Sequence, residues 1–218
     1  MTFEVISSNG AVAVVIGDVV KSAEYPGSQL FEQLRPELSR VSTQIGCLEP
    51  FDFTIGDEFE GVFATPPLAI RAALLLRLLV HPMDLRFGIG FGNTMKITPL
   101  RFAENGEGWW LAREAIESAQ ASERQPSLRA LRTRFRTIDT THETTINAFL
   151  LVHDFLVSRM DEIDRKILAS LLLGQLQTEI ALQLGIDRSA VSKRVSRNGS
   201  NYLLAAYRGL DGESLMPS

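Results

Sequence analysis

Ala11–Asp18 reads AVAVVIGD, a nearly continuous apolar run rich in valine that ends at a Gly-Asp pair. A run without polar alternation is buried on both faces, so it predicts the central strand of a sheet covered on either side. After it, from Ser28, Leu30, Phe31, Leu34, Leu38, Val41 and Ile45 keep helical spacing, and Gly46 stands where a helix stops. Phe51–Phe63 (FDFTIGDEFEGVF) alternates Phe51, Phe53 and Ile55 with polar residues up to Gly56-Asp57, then resumes with Phe59 and Phe63, the pattern of a tight hairpin. Pro66-Pro67 opens a second helix over Ala69–Val80. LRFGIGFG (Leu85–Gly92) returns as a strand whose glycines mark a close approach by another backbone or a ligand. A Gly-rich loop and a helix over Trp109–Ala119 follow.

The order βαββαβ predicts an α+β fold, with a ferredoxin-like, palm-type domain over residues 1–120. Residues 121–144 carry Arg124, Arg129, Arg132, Arg134 and Arg136 in a mixed pattern and read as a basic connector. Residues 145–218 read as an all-α domain, helical from Thr145 almost to Leu210.

Within that domain, Gln177–Arg197 has the form of a helix-turn-helix. Ile180 and Leu184, then Val191 and Val195, are two i,i+4 apolar pairs separated by Gly185-Ile186-Asp187, which places two short helices at a sharp angle. Ala181 is small where they cross. Gly185 supplies a left-handed turn, Ile186 plugs the core, and Asp187 suits the N-cap of the second helix. Asp161–Gly174 is the supporting helix. Arg188, Ser189, Ser192 and Lys193 fall opposite Val191 and Val195, where a recognition helix meets bases and phosphates, and Arg194 and Arg197 extend the basic surface. The same pattern also serves as a packing unit with a solvated basic face, since fold alone does not fix function.

Composition narrows the setting. The 218 residues are 45% hydrophobic, enough for a sizeable core, and the net charge is −4. Against that acidic background, Arg188 to Arg208 contains no acid, the pattern expected if one end of the molecule touches phosphate. Cys47 is the single cysteine and the three histidines are scattered, so no disulfide framework or zinc site is read, and a reducing cytoplasm fits. The longest apolar stretch, Ala69–Val80, has Arg71 and Arg77 inside it, which predicts a soluble amphipathic helix and no membrane span.

Asp18 ends the central strand, and Asp57 and Glu58 sit at the hairpin tip, so the sheet brings these carboxylates to one edge. Such a set suits Mg²⁺ or Mn²⁺, an ion that takes one or two protein carboxylates and completes its shell with water and substrate phosphates. Backbone amides of the turn Val19–Ser22, with Lys21, are placed to hold a triphosphate. Gly-Asp is equally a common hairpin turn and a strand-end Asp a common cap, so the weight rests on their joint occurrence.

The ordered set IGDVVKS, IGDEFEGVF, RFGIGFG, WWLAREAI and a terminal helix-turn-helix resembles the SatD family over nearly the whole chain. That resemblance implies an architecture more than an activity. The first strand with Asp18 and the IGDEF hairpin are similar, more distantly, to the palm domains of diguanylate cyclases and class III nucleotidyl cyclases. By motif, Asp18 and Asp57 would then be metal ligands, and Arg113, in LAREA, the basic residue directed at phosphates. Ile55 replaces the first glycine of the GGDEF motif, the guanine-reading asparagine is not recognisable, and Trp109 stands where a class III cyclase carries its transition-state asparagine.

These readings give a DNA-binding regulator whose palm-like domain binds a metal–nucleotide complex. The alternative is an active nucleotidyl cyclase or nucleotidyltransferase whose helix-turn-helix serves assembly or localisation. Both kinds of unit commonly work in pairs, so a homodimer is expected, with double-stranded DNA and a nucleoside triphosphate as partners.

Overall fold

The computed structural model of the chain describes residues 5–97 and 105–210. Its centre is the apolar run read first. That run lies in β1 (Val5–Val19), flanked by β3 (Phe59–Phe63) and β4 (Leu85–Ile97), both antiparallel to it. β2 (Glu49–Phe53) completes the hairpin outside β3, and β5 (Thr133–Thr137) lies outside β4, parallel to it. The sheet order is therefore β2-β3-β1-β4-β5.

Alternation along β1 sends its residues to two cores. Ala13, Val15 and Val19 face the core that holds α1 (Gly27–Ile45) and α2 (Pro66–Leu79), with Phe59, Phe63 and Phe87 buried among them. Val14 and Ile16 face the other way, against Ala112 and Ile116 of α3 (Glu107–Ser122). A two-sided core is what an unbroken apolar strand requires.

Helix α3 reaches the sheet by backbone contact. A Cβ at Gly88 would overlap the Ala112 carbonyl oxygen and the Ile116 nitrogen, and one at Gly90 would overlap the Gly108 carbonyl oxygen and the Ala112 nitrogen. The glycines of β4 are thus the close-approach positions their spacing implied, and the approaching group is the α3 main chain.

The chain past Ser122 departs from a plain connector. TRFRT forms the edge strand β5, with Thr133, Phe135 and Thr137 buried and the two arginines between them partly exposed. An edge strand leaves one row of amides unpaired. Here α4 (Thr140–Ser158) covers that row with side chains: Asp154 accepts from the Thr133 amide at 2.7 Å, Asn147 from Phe135 at 3.0 Å, and Glu143 from Thr137 at 3.2 Å. Asn147 also donates to the Phe135 carbonyl at 2.8 Å. The stripe of Glu143, Asn147 and Asp154 keeps helical spacing along one face, so the helix closes the sheet.

Four helices follow: α5 (Glu162–Leu172), α6 (Gln177–Leu184), α7 (Arg188–Arg197) and α8 (Ser200–Leu210). Ile167, Ile180, Ala181, Val191 and Val195 form a small core between α5, α6 and α7, with Leu184 and Ile186 packed on it. Gly185 takes the left-handed conformation at φ 64° between α6 and α7. Positions 211–218, counted with this unit, lie outside the described residues. Arg77 of α2, one of the two charges inside the longest apolar stretch, is buried and paired with Asp154 at 2.5 Å. Among the described residues no helix is long and apolar enough to cross a membrane.

Because the Cβ at position 90 meets helix backbone rather than a movable side chain, Gly90→Ala should cost roughly 3 kcal/mol or more of stability in urea unfolding. Gly27→Ala, at the open first position of α1, should change it by less than about 0.5 kcal/mol.

Candidate functional site

The sheet edge gathers most of the acids singled out from sequence, but it divides them. Asp18 lies across from Arg86 in the β1–β4 register and accepts a hydrogen bond from the Arg86 Nε at 3.1 Å. Asp57, in the turn between β2 and β3, accepts from the Val19 amide at 3.3 Å, which holds it against the end of β1. Burial pushes the Asp18 carboxyl up, Arg86 opposes this, and the charge of Asp57 adds to the rise. The structure therefore brings Asp18 and Asp57 together.

Glu58 belongs to a second cluster. It takes both terminal nitrogens of Arg113, at 2.5 and 2.6 Å, and Glu60 lies 3.7 Å from the same guanidinium. Arg113, expected to face phosphates, is drawn by this bidentate pair to the turn that leads into β3. Burial, with Glu58 close by, pushes the Glu60 carboxyl up to about 7 against the pull of Arg113. Among the described residues no three acids, histidines or cysteines converge in a way that would hold a metal by themselves.

The turn expected to cradle phosphates is partly committed. The Val19 amide serves Asp57, and the Val20 amide donates to the Asp84 carbonyl at 2.9 Å. Lys21 adopts a left-handed conformation, φ 58°, uncommon for a residue with a side chain, and its amine lies 3.2 Å from Glu24. Ser22 begins a single 3₁₀ turn.

Sequence reasoning missed Arg86, because only the strand register places it against Asp18. From Arg86 a line of ion pairs runs on: Glu123 at 3.5 Å, then Arg132 at 3.7 Å from Glu123, Asp84 at 2.6 Å from Arg132, and Arg77 at 3.8 Å from Asp84. Arg77 ends it on Asp154.

On α7, Val191 and Val195 are buried while Arg188, Ser189, Ser192 and Lys193 are exposed together. Arg194 does not join them. It turns back onto the start of α5, bonding Asp161 at 2.8 Å and Asp164 at 2.7 Å. Arg197 is 70% exposed and lies 3.9 Å from Asp164. The signal for this pairing was the Asp161–Asp164 spacing at a helix start, but only the crossing of α5 and α7 shows which arginine answers it.

A family model described as the SatD family matches residues 12–207. No curated protein matches the chain in sequence. Among solved structures, it is similar to the catalytic core of a rhodopsin-guanylyl cyclase with converted specificity in complex with ATPαS, at 17% identity and TM-score 0.44, covering 53% of this chain and 75% of that one. The monomeric guanylyl cyclase domain of the RhoGC fusion protein from the aquatic fungus Blastocladiella emersonii is similar at 15% identity and TM-score 0.44, covering 53% and 78%. A bacterial light-regulated adenylyl cyclase is similar at 15% identity and TM-score 0.42, covering 56% and 42%.

Glu60 gives the site a measurable signature. The folded chain keeps its proton to a higher pH than an unfolded chain, whose glutamate titrates near 4.5, so its contribution to stability is complete below that pH and is lost as pH rises through about 7. Glu60→Gln should remove that loss, so denaturant unfolding across this window should show a flatter pH profile and a more stable protein at its alkaline end. A profile parallel to that of the unaltered chain would mean that Glu60 titrates in the folded protein as it does in the unfolded chain.

Proposed function

The chain belongs to the SatD family, and from that premise we propose that it is a DNA-binding regulatory protein whose sheet domain binds a divalent metal–nucleotide complex. The observation that carries the proposal is the outward face of α7. Arg188, Ser189, Ser192 and Lys193 stand exposed on a helix whose other side is fixed by Val191 and Val195 in a core shared with α5 and α6. A short helix held rigidly from behind, with arginine, lysine and two hydroxyls in front, suits insertion into a major groove. Arg197 adds a charge for the phosphate backbone, whereas Arg194 serves to lock α7 onto α5.

At the sheet edge the residues fit a cation that arrives with its ligand. Asp18 and Asp57 supply two carboxylates, the number that Mg²⁺ takes when waters and phosphates complete its shell. Arg86 offsets part of their charge, which weakens the pair as a site for the bare ion and favours one delivered with nucleotide. The ion, when bound, would neutralise phosphate charge; Asp18 and Asp57 would hold it, and Arg113 would reach the outer phosphates on release from Glu58. Two copies would pair on two half-sites. Leu151, Val152 and Phe155 form an exposed apolar stripe on α4 that a second copy would cover.

Substituting Arg188 and Lys193 by alanine should weaken duplex DNA binding and lower its salt slope by about one counterion for each phosphate group no longer engaged. Intact protein without salt-sensitive DNA binding would leave α6 and α7 as a packing unit. Nucleoside triphosphate with Mg²⁺ should raise the unfolding temperature, nucleotide with chelator much less, and Asp57→Asn should abolish the gain. An undiminished response in Asp57→Asn would remove the cation site, and product formation would turn the reading toward an enzyme. Sedimentation with and without DNA tests the pairing.

A further inference from the structure

Away from the sheet-edge acids and from α7, a cavity of about 230 Å³ lies where the end of α2, the segment before β5 and the start of α5 meet. Arg77, Arg129, Arg132 and Arg165 line it with His81, and Asp84 is the one carboxylate in its wall among the described residues.

The four guanidinium groups are not equally compensated. Arg77 is paired with the buried Asp154, and Arg132 with Asp84 at 2.6 Å. Arg165 has no carboxylate partner among the described residues. Its nitrogens bond main-chain carbonyls instead, of Val157 at 2.9 Å, Met160 at 3.3 Å and Arg77 at 3.4 Å. Arg129 lends its carbonyl to Arg132 at 2.8 Å, and its exposed side chain has no partner among the described residues. Arg129 and Arg165 thus line one polar hollow without an ion pair of their own among those residues, Asp84 being engaged by Arg132, and the Nε of the buried Arg77 is also left without a hydrogen bond.

We propose that this cavity binds a small phosphate dianion, either inorganic phosphate or the terminal group of a phosphomonoester. Guanidinium groups present paired donors that match two oxygens of a phosphate, and two such groups without an ion pair supply the positive charge that answers it. Arg165 is pre-positioned for this by its carbonyl bonds, which lock the side chain without neutralising it. Burial and the neighbouring Arg77 lower the proton affinity of Arg165 against the pull of Asp84, and burial with Arg165 lowers that of His81 against Glu162 and Asp84, as expected where positive groups outnumber the acids beside them. His81 lines the same wall, where a ring N–H can donate a further hydrogen bond.

The site is separate from the proposed metal–nucleotide site, so it is probed without metal. Calorimetric titration of the 218-residue chain in chelator, with inorganic phosphate in one arm and adenosine 5′-monophosphate in the other, is compared with chloride at matched ionic strength. Saturable binding in either arm is expected, and tighter binding of the monophosphate identifies an ester as the ligand. Arg165→Gln should weaken it by roughly tenfold, the loss of one charge-assisted pair. Arg129→Ala, at an exposed side chain without structural bonds, should weaken it in the same direction, and Lys193→Ala should leave it unchanged. Binding no stronger than chloride gives, an Arg129→Ala protein that binds like the unaltered chain, or equal weakening by Lys193→Ala would each overturn the site.

Discussion

One carboxylate, Asp154, is where the parts of this molecule are tied. It is fully buried, and burial alone would raise it, but Arg77, His153 and the Arg132 amide hold it below the usual carboxylate range. Through Arg77 it grips α2, through the amides of Arg132 and Thr133 it grips the start of β5, and it rides on α4. A buried ion pair of this kind contributes little net stability, yet loss of one partner strands a charge in the core and costs about 3–5 kcal/mol. Its effect is to specify arrangement. In the observed register of β5 beside β4, with α4 closed over it, Asp154 meets Arg77 and the Arg132 and Thr133 amides at once. His153 extends the same knot toward α8, where its ring lies 6.0 Å from that of the buried Tyr207.

The line of charges from Asp18 through Arg86, Glu123, Arg132 and Asp84 to Arg77 ends at this knot. It connects the sheet-edge acids to α2 and α4, and it borders the arginine-lined cavity on the way. Contiguity is not coupling, and coupling needs an element with two arrangements that both ends bias. The pairs at 3.5 to 3.8 Å, Glu123 with Arg86 and Arg132 and Arg77 with Asp84, are the longest links in the line.

The elements from β1 to α3 are legible because each has one strong period, two for the hairpin and 3.6 for the helices, and because glycines and prolines punctuate them. β5 is not. Its TRFRT alternation is only five residues long, and the arginines that fill its outer face read as part of a basic run. Sequence pattern puts the start of α4 at Thr145 because THETT offers no apolar stripe, whereas its first turn is held by the Asp139 side chain, which caps the amides of Thr141 and His142. At the candidate site, the nearness of Asp18 and Asp57 follows from a strand end and a hairpin tip beside it, both visible in sequence. The partners Arg86, Glu58 for Arg113, and Asp161 with Asp164 for Arg194 are hidden there, since each depends on a strand register or on how a helix is rotated when it lands.

The glycine row of β4 bears on how this fold can vary over generations. Gly88 and Gly90 meet α3 by main chain, so no side-chain chemistry records that interface. Every single-base change that replaces a glycine with another residue introduces a Cβ, and here each would lift the helix that carries Arg113. Elsewhere in the core a leucine can drift to methionine or isoleucine at small cost. Along this row there is no neighbouring residue to drift to, which makes it a fixed point of the fold.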